Sequence, residues 1–188
     1  MSRTILFYGT IAGLLVGVPN FAIFVALHGN PPPYPMAVGY LIMLIALSTV
    51  FVAIKRQRDV AQGGVIGFWR AFGLGLGISL IAGIFYVLAW EAVLAVTHVD
   101  FASDYAKMLI AQERAKGVSG AALAKFTADM EAFKAQYANP LYRMPMTFTE
   151  IFPVGVLVSL ISAGLLCNRR FLPARRAQPA ERVPAEMP

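Results

Sequence analysis

Four apolar blocks constrain this chain more than any other feature. They run over approximately Ile5–Leu27, Met36–Ile54, Phe68–Val96 and Phe148–Cys167. Each is at or near the roughly 20 residues that a helix needs to cross about 30 Å of hydrocarbon. Of the 188 residues, 58% are hydrophobic and 14% are charged, against about 45–50% and about 25% in soluble domains. The excess is gathered in the four blocks, which sets aside a soluble protein with buried helices. The predicted fold class is all-α: an integral-membrane four-helix bundle with an extracytoplasmic amphipathic helical hairpin between the third and fourth spans. Residues 1–97 hold the first three spans, 98–146 the hairpin, 147–168 the fourth span and 169–188 a disordered basic tail.

The first block is too long for the roughly 7–15-residue apolar core of a signal peptide, and no clear small-x-small site follows it. Arg3 ahead of it suits an uncleaved span that enters with its N-terminus inside. The net charge of +6 raises nucleic acid as a partner, but its placement argues otherwise. With four crossings, Arg3, Lys55, Arg56, Arg58, Arg70, Arg169, Arg170, Arg175, Arg176 and Arg182 fall on one side. Lys107, Arg114, Lys116, Lys125, Lys134 and Arg143 fall on the other, spread out and offset by acids. This is the positive-inside pattern. It predicts a multi-pass protein of the inner (plasma) membrane with both termini cytoplasmic. The lipid bilayer is the first partner, and the basic segments meet anionic headgroups.

Small residues mark where helices approach. Gly9, Gly13 and Gly17 repeat every fourth residue and share one helix face. Such a face lets another helix come close, which matters where apolar burial gives little drive between helices. It serves either packing inside one bundle or an oligomer seam with a second copy or another membrane protein. Gly73 and Gly77 sit one turn apart in the third block, with Gly75 opposite. Pro19 removes a backbone donor and predicts a kink; Asn20 beside it can satisfy a freed group or bond another helix. The single cysteine, Cys167, allows no internal disulfide.

The acid that stands out is Glu91, within YVLAWEAVLAV. Trp69 and Trp90 are the two tryptophans, about 31 Å apart along a helix, and Trp favours membrane interfaces. On that ruler Glu91 and Trp90 lie at the outer interface, and Trp69 and Arg70 at the inner one. An acid at the edge costs far less than one at the midplane. Glu91 is therefore either an interfacial packing group or a proton or ion group. It shares a helix face with His98, and Asp100 and Asp104 follow. That constellation is the best candidate for a metal site or acid–base pair. No zinc spacing and no nucleophile elbow occur, so no catalytic residue, metal ligand or cofactor is assigned.

Between the third and fourth blocks two amphipathic helices are expected. Phe101, Tyr105, Met108 and Leu109 form one stripe; Leu123, Phe126, Met130, Phe133 and Tyr137 form the other. Asp100 or Ser103 can cap the first, Ser119 the second, and Asn139-Pro140 ends it. The stripes pack either on each other and the bundle or on lipid. TFTE, Thr147–Glu150, reads as a capping box that opens the fourth span.

The stretches GYLIMLIALSTVFVAIKRQRD, GGVIGFWRAFGLGLGISLIAGIFYVLAWE, FASDYAKM, NPLY and VGVLVSLISAGLL resemble the bacterial integral-membrane family known as domain of unknown function 4199. The resemblance covers roughly Thr4 to Arg170 and implies a small four-span protein. It brings no activity, substrate or catalytic residue. The leading expectation is a non-enzymatic membrane protein acting through protein–protein contacts, as a subunit or scaffold. The alternatives are an oligomeric transporter or channel using Glu91, and a membrane enzyme or lipid-binding protein.

Overall fold

A computed structural model of the chain describes residues 1–30 and 32–173. Among the described residues the protein is all-helical, with no strand. Six α-helices follow in order: α1 (Ser2–Ala26), α2 (Pro35–Arg56), α3 (Phe68–Thr97), α4 (Phe101–Ala115), α5 (Gly120–Tyr137) and α6 (Pro140–Leu166). A π-helical turn, Gln57–Ala61, extends α2. Counting that turn with α2, the helices α1, α2, α3 and α6 span 25, 27, 30 and 27 residues and are apolar enough to cross a membrane.

The helix ends follow from local chemistry. Tyr34 in the left-handed region and Pro35 at the first position start α2. His98 takes a left-handed conformation (φ 52°) that stops α3. The Asp100 carboxylate accepts from the Ser103 backbone N–H at 3.1 Å and caps α4; hydrogen bonds from Ser103 hold Asp100 below the usual carboxylate range. Ser119 stands at the start of α5 but makes no side-chain cap bond.

The fourth long helix corrects the sequence reading. It starts at Pro140, not Phe148, so Thr147–Glu150 is helix interior and not a capping box. The signal that decides is Asn139-Pro140. Asn139 accepts from the Leu141 N–H at 3.0 Å, and the ring of Pro140 presets the first helical φ. The same dipeptide therefore ends α5 and begins α6. Thr149, in the expected box, bonds back to the Met146 carbonyl at 2.6 Å. The first residues of the expected disordered tail are ordered. Residues 169–173 fold back, with Phe171 edge-on to Phe51 at 6.4 Å between ring centres; residues 174–188 lie outside the described residues.

Helix α3 is the centre of the packing. It touches α1, α6 and α2, while α2 also touches α1 and α6. The glycine face of α1 lies on α3. A Cβ at Gly9 would meet Ile81 at 2.7 Å, at Gly13 Phe85 at 2.5 Å, and at Gly17 Ala89 at 3.2 Å. The expected alternative, an oligomer seam on this face, is taken up inside the chain. Of the α3 pair, a Cβ at Gly77 would meet Ile5 at 3.0 Å, whereas one at Gly73 would meet nothing within 4 Å among the described residues. The closer contacts on α3 come from glycines that the spacing did not single out. A Cβ at Gly75 would meet Ser159 at 2.6 Å, at Gly83 Phe148 at 2.5 Å, and at Gly155 of α6 Ser79 at 2.6 Å. Ser79 and Ser159 are buried, their hydroxyls 3.4 Å apart. Pro19 and Asn20 stay within a continuous α1, and the Asn20 amide nitrogen is buried with no hydrogen-bond partner among the described residues.

Gly13→Ala drives a methyl into the root of the Phe85 side chain and is expected to destabilise the protein by about 1–3 kcal/mol. Gly73→Ala, on an open face, is expected to be neutral or to stabilise by up to about 1 kcal/mol. Unfolding midpoints of the two variants in the same detergent check both.

Candidate functional site

The two ends of the helix assembly carry the polar chemistry. At one end α3 runs into α4 and α5 returns into α6. There Glu91 of α3 meets Arg143 of α6. The Arg143 Nε donates to Glu91 Oε1 at 2.7 Å, and Nη2 donates to Oε2. Both carboxylate oxygens are thus held in a two-pronged pair, the stronger form of carboxylate recognition. The side chains are 19% and 14% exposed, so water screens the pair only in part. Arg143 also donates to the Tyr137 carbonyl at 3.3 Å, and its guanidinium lies 5.7 Å from the centre of the Tyr137 ring.

Tyr137 continues the network. Its hydroxyl accepts from the Trp90 indole N–H at 2.8 Å. Burial pushes that hydroxyl up to about 12, so it stays neutral. Trp90 is only 7% exposed. Its ring stands edge-on to Phe24 of α1 at 5.2 Å and to Phe101 of α4 at 5.1 Å. Trp90 is therefore not a surface anchor, as the tryptophan spacing suggested. Helices α4 and α5 cover it and supply its polar partner. The two helices meet through Phe101, Tyr105, Phe133 and Tyr137, whose ring centres are 5.5–6.1 Å apart. Trp69, by contrast, is 78% exposed at the opposite end, with Arg70 exposed beside it.

The expected constellation does not assemble. His98 is exposed at the end of α3 and shares no hydrogen bond or ion pair with Glu91 among the described residues. Asp100 is spent on capping α4, and Asp104 pairs with Lys107 at 3.2 Å. No group of three or more His, Cys, Asp or Glu among the described residues is placed to hold a metal. What lies beside the Glu91–Arg143 pair is a shallow recess of about 150 Å³, bordered by Leu94, Asp100, Lys134, Tyr137 and Arg143.

Two polar features escaped the sequence. Arg58, grouped by pattern with Lys55 and Arg56 as a surface basic stop, is 1% exposed. It donates to Asp59 at 2.7 Å, to the Leu166 and Phe171 carbonyls at 3.4 and 2.9 Å, and to the Leu172 carbonyl. The π-helical turn places it there, and it satisfies the last carbonyl of α6 and two carbonyls in the residues that follow. The second feature is Glu150, exposed on α6, which accepts from the Tyr86 hydroxyl at 3.0 Å. Arg143 carries no signal while the fourth helix is read from Phe148; with α6 beginning at Pro140, it sits in the first turn.

Glu91→Gln and Arg143→Gln are each expected to cost about 2 kcal/mol of stability, since each leaves a half-buried partner charge uncompensated. The double variant is expected to lose less than the sum, with a coupling of about 1–3 kcal/mol. Unfolding of the four proteins of this cycle measures it. Limited proteolysis near Gly117 should quicken in both single variants as α4 and α5 loosen.

Searches among curated proteins and among solved structures found no match. Residues 7–168 match the family described as Protein of unknown function (DUF4199). With α2, α3, α6, most of α1, the Glu91–Arg143 pair and Arg58 inside that match, the chain belongs to this family.

Proposed function

We propose that this chain is a four-span protein of the bacterial inner membrane that acts through contacts with another membrane protein, as a subunit or scaffold. Both termini lie in the cytoplasm. Helices α4 and α5 form an extracytoplasmic hairpin seated on the four-helix bundle. The charge placement supports this orientation. Arg3, Lys55, Arg56, Arg70, Arg169 and Arg170 gather at the end away from α4 and α5, and lysine and arginine mark the cytoplasmic side.

The observation that carries the reading is the two-pronged Glu91–Arg143 pair. A carrier or channel needs polar groups free to meet its cargo along a path, commonly near the midplane. Here Glu91, the acid that the sequence singles out, is occupied at both oxygens. Midway along the long helices, Ser79 of α3 and Ser159 of α6 are buried against each other and against glycines. The recess beside Arg143, at about 150 Å³, is below the roughly 300–1,000 Å³ of small-molecule sites. Enzyme and lipid-pocket readings are correspondingly weaker. What remains is a rigid helical body that presents faces.

Native mass spectrometry of the protein, gently extracted from its own membrane at natural expression, tests this. A second protein present in constant ratio is the expected result. A lone monomer would overturn the proposal. A homo-oligomer retaining an ion would favour transport.

A further inference from the structure

Glu150 is the one acid of the four long helices that meets no basic side chain among the described residues. It is on the exposed surface of α6, and its bond with the Tyr86 hydroxyl is its only side-chain partner there. Position makes this unusual. Glu150 lies two turns, about 10 Å, along α6 from Arg143 toward the opposite end. Its partner Tyr86 lies about 26 Å along α3 from Trp69, within about 30 Å of hydrocarbon measured from that end. Ile151 and Phe152 follow Glu150 directly, and Val154 and Leu157 continue the helix. A carboxylate in such surroundings is costly, and acids that persist inside membranes are paired and functional. A tyrosine hydroxyl supplies one hydrogen bond and no charge.

Among the described residues, the four long helices of a second copy offer no free cation at this depth. The basic residues of its four long helices are Arg3, Lys55, Arg56, Arg70 and Arg143, while Arg58 in the extension of α2 is buried against carbonyls. The first four sit at the end away from α4 and α5, and Arg143 is already held by Glu91. None faces out at the depth of Glu150.

We infer that Glu150, steadied by Tyr86, is the docking point for a different membrane protein, one whose spanning helix carries a lysine or arginine in its outer half. This rests on the contact-based function proposed above and names the surface and chemistry of that contact. The partner helix lies along the exposed side of α6, on Glu150 and, two turns on, Leu157, which is 59% exposed. Its cation supplies the counter-charge that the Tyr86 hydroxyl does not.

The experiment places a photo-crosslinking amino acid at position 157 in the full chain, in its own membrane, and sequences the adduct. The expected adduct is a different protein, joined through a spanning segment with a lysine or arginine in its outer half. Its yield, normalised to folded protein, should fall at least about tenfold in Glu150→Gln and persist in Glu150→Asp. Glu150→Lys should abolish it, and exchanging the partner cation for glutamate should restore it, which covers the case of a poorly folding Gln variant. An undiminished adduct with the same protein in Glu150→Gln would overturn this inference and leave the scaffold reading standing. Adducts with lipid or a second copy alone, together with a monomer in native mass spectrometry, would overturn both.

Discussion

The architecture depends on how closely other backbones approach α3. Between helices in lipid the surroundings are as apolar as the side chains, so association depends on contact area and on polar groups that find partners. Small residues create that contact. On one side Gly9, Gly13 and Gly17 of α1 admit Ile81, Phe85 and Ala89; on the other Gly75 and Gly83 admit Ser159 and Phe148, while Gly155 admits Ser79. An alanine at several of these places would put carbon within 3 Å of carbon or oxygen. Helix α3 is thus held from two sides by contacts that tolerate little change, and α2 closes against it, α1 and α6.

On this frame each end is sealed by one arginine. Arg143 joins Glu91 of α3 to the start of α6 and reaches the Tyr137 carbonyl at the end of α5. Arg58 joins the extension of α2 to the last turn of α6 and the residues after it. Arginine suits both places because its rigid fork can serve several oxygens at once. Trp90 and Tyr137 add an aromatic stack at the first end, so that α4 and α5 are fixed to the helices below them. A body so constrained is fit to present surfaces, and a poor candidate for a mechanism that needs its charges to move.

Much of the fold was legible in the sequence. Block lengths gave the four long helices, and apolar spacing gave α4 and α5, because both signals are local. The glycine repeat of α1 was legible as a packing face, but not which helix it met. Gly73 shows the limit: it has the same spacing as Gly77, yet faces open space, because spacing says nothing about what lies opposite. Trp90 was placed at a surface because tryptophan prefers interfaces, and tertiary cover by α4 and α5 decided otherwise. The Thr147–Glu150 box was a true local pattern overruled by the stronger Asn139-Pro140 start. Once α6 is lengthened, Arg143 reaches Glu91, and Glu150 changes from a cap to an acid well inside a helix.

The central claim is that four helices cross a membrane with α4 and α5 on one side and the chain ends on the other. Labelling with a membrane-impermeant maleimide tests it most directly. One protein keeps the native Cys167, which is exposed; the other carries Cys167→Ser with Ser119→Cys in the exposed turn between α4 and α5. In spheroplasts the account predicts labelling at position 119 from outside, and at Cys167 only after permeabilisation. Labelling of both positions from the same side, or of Cys167 first, would contradict it.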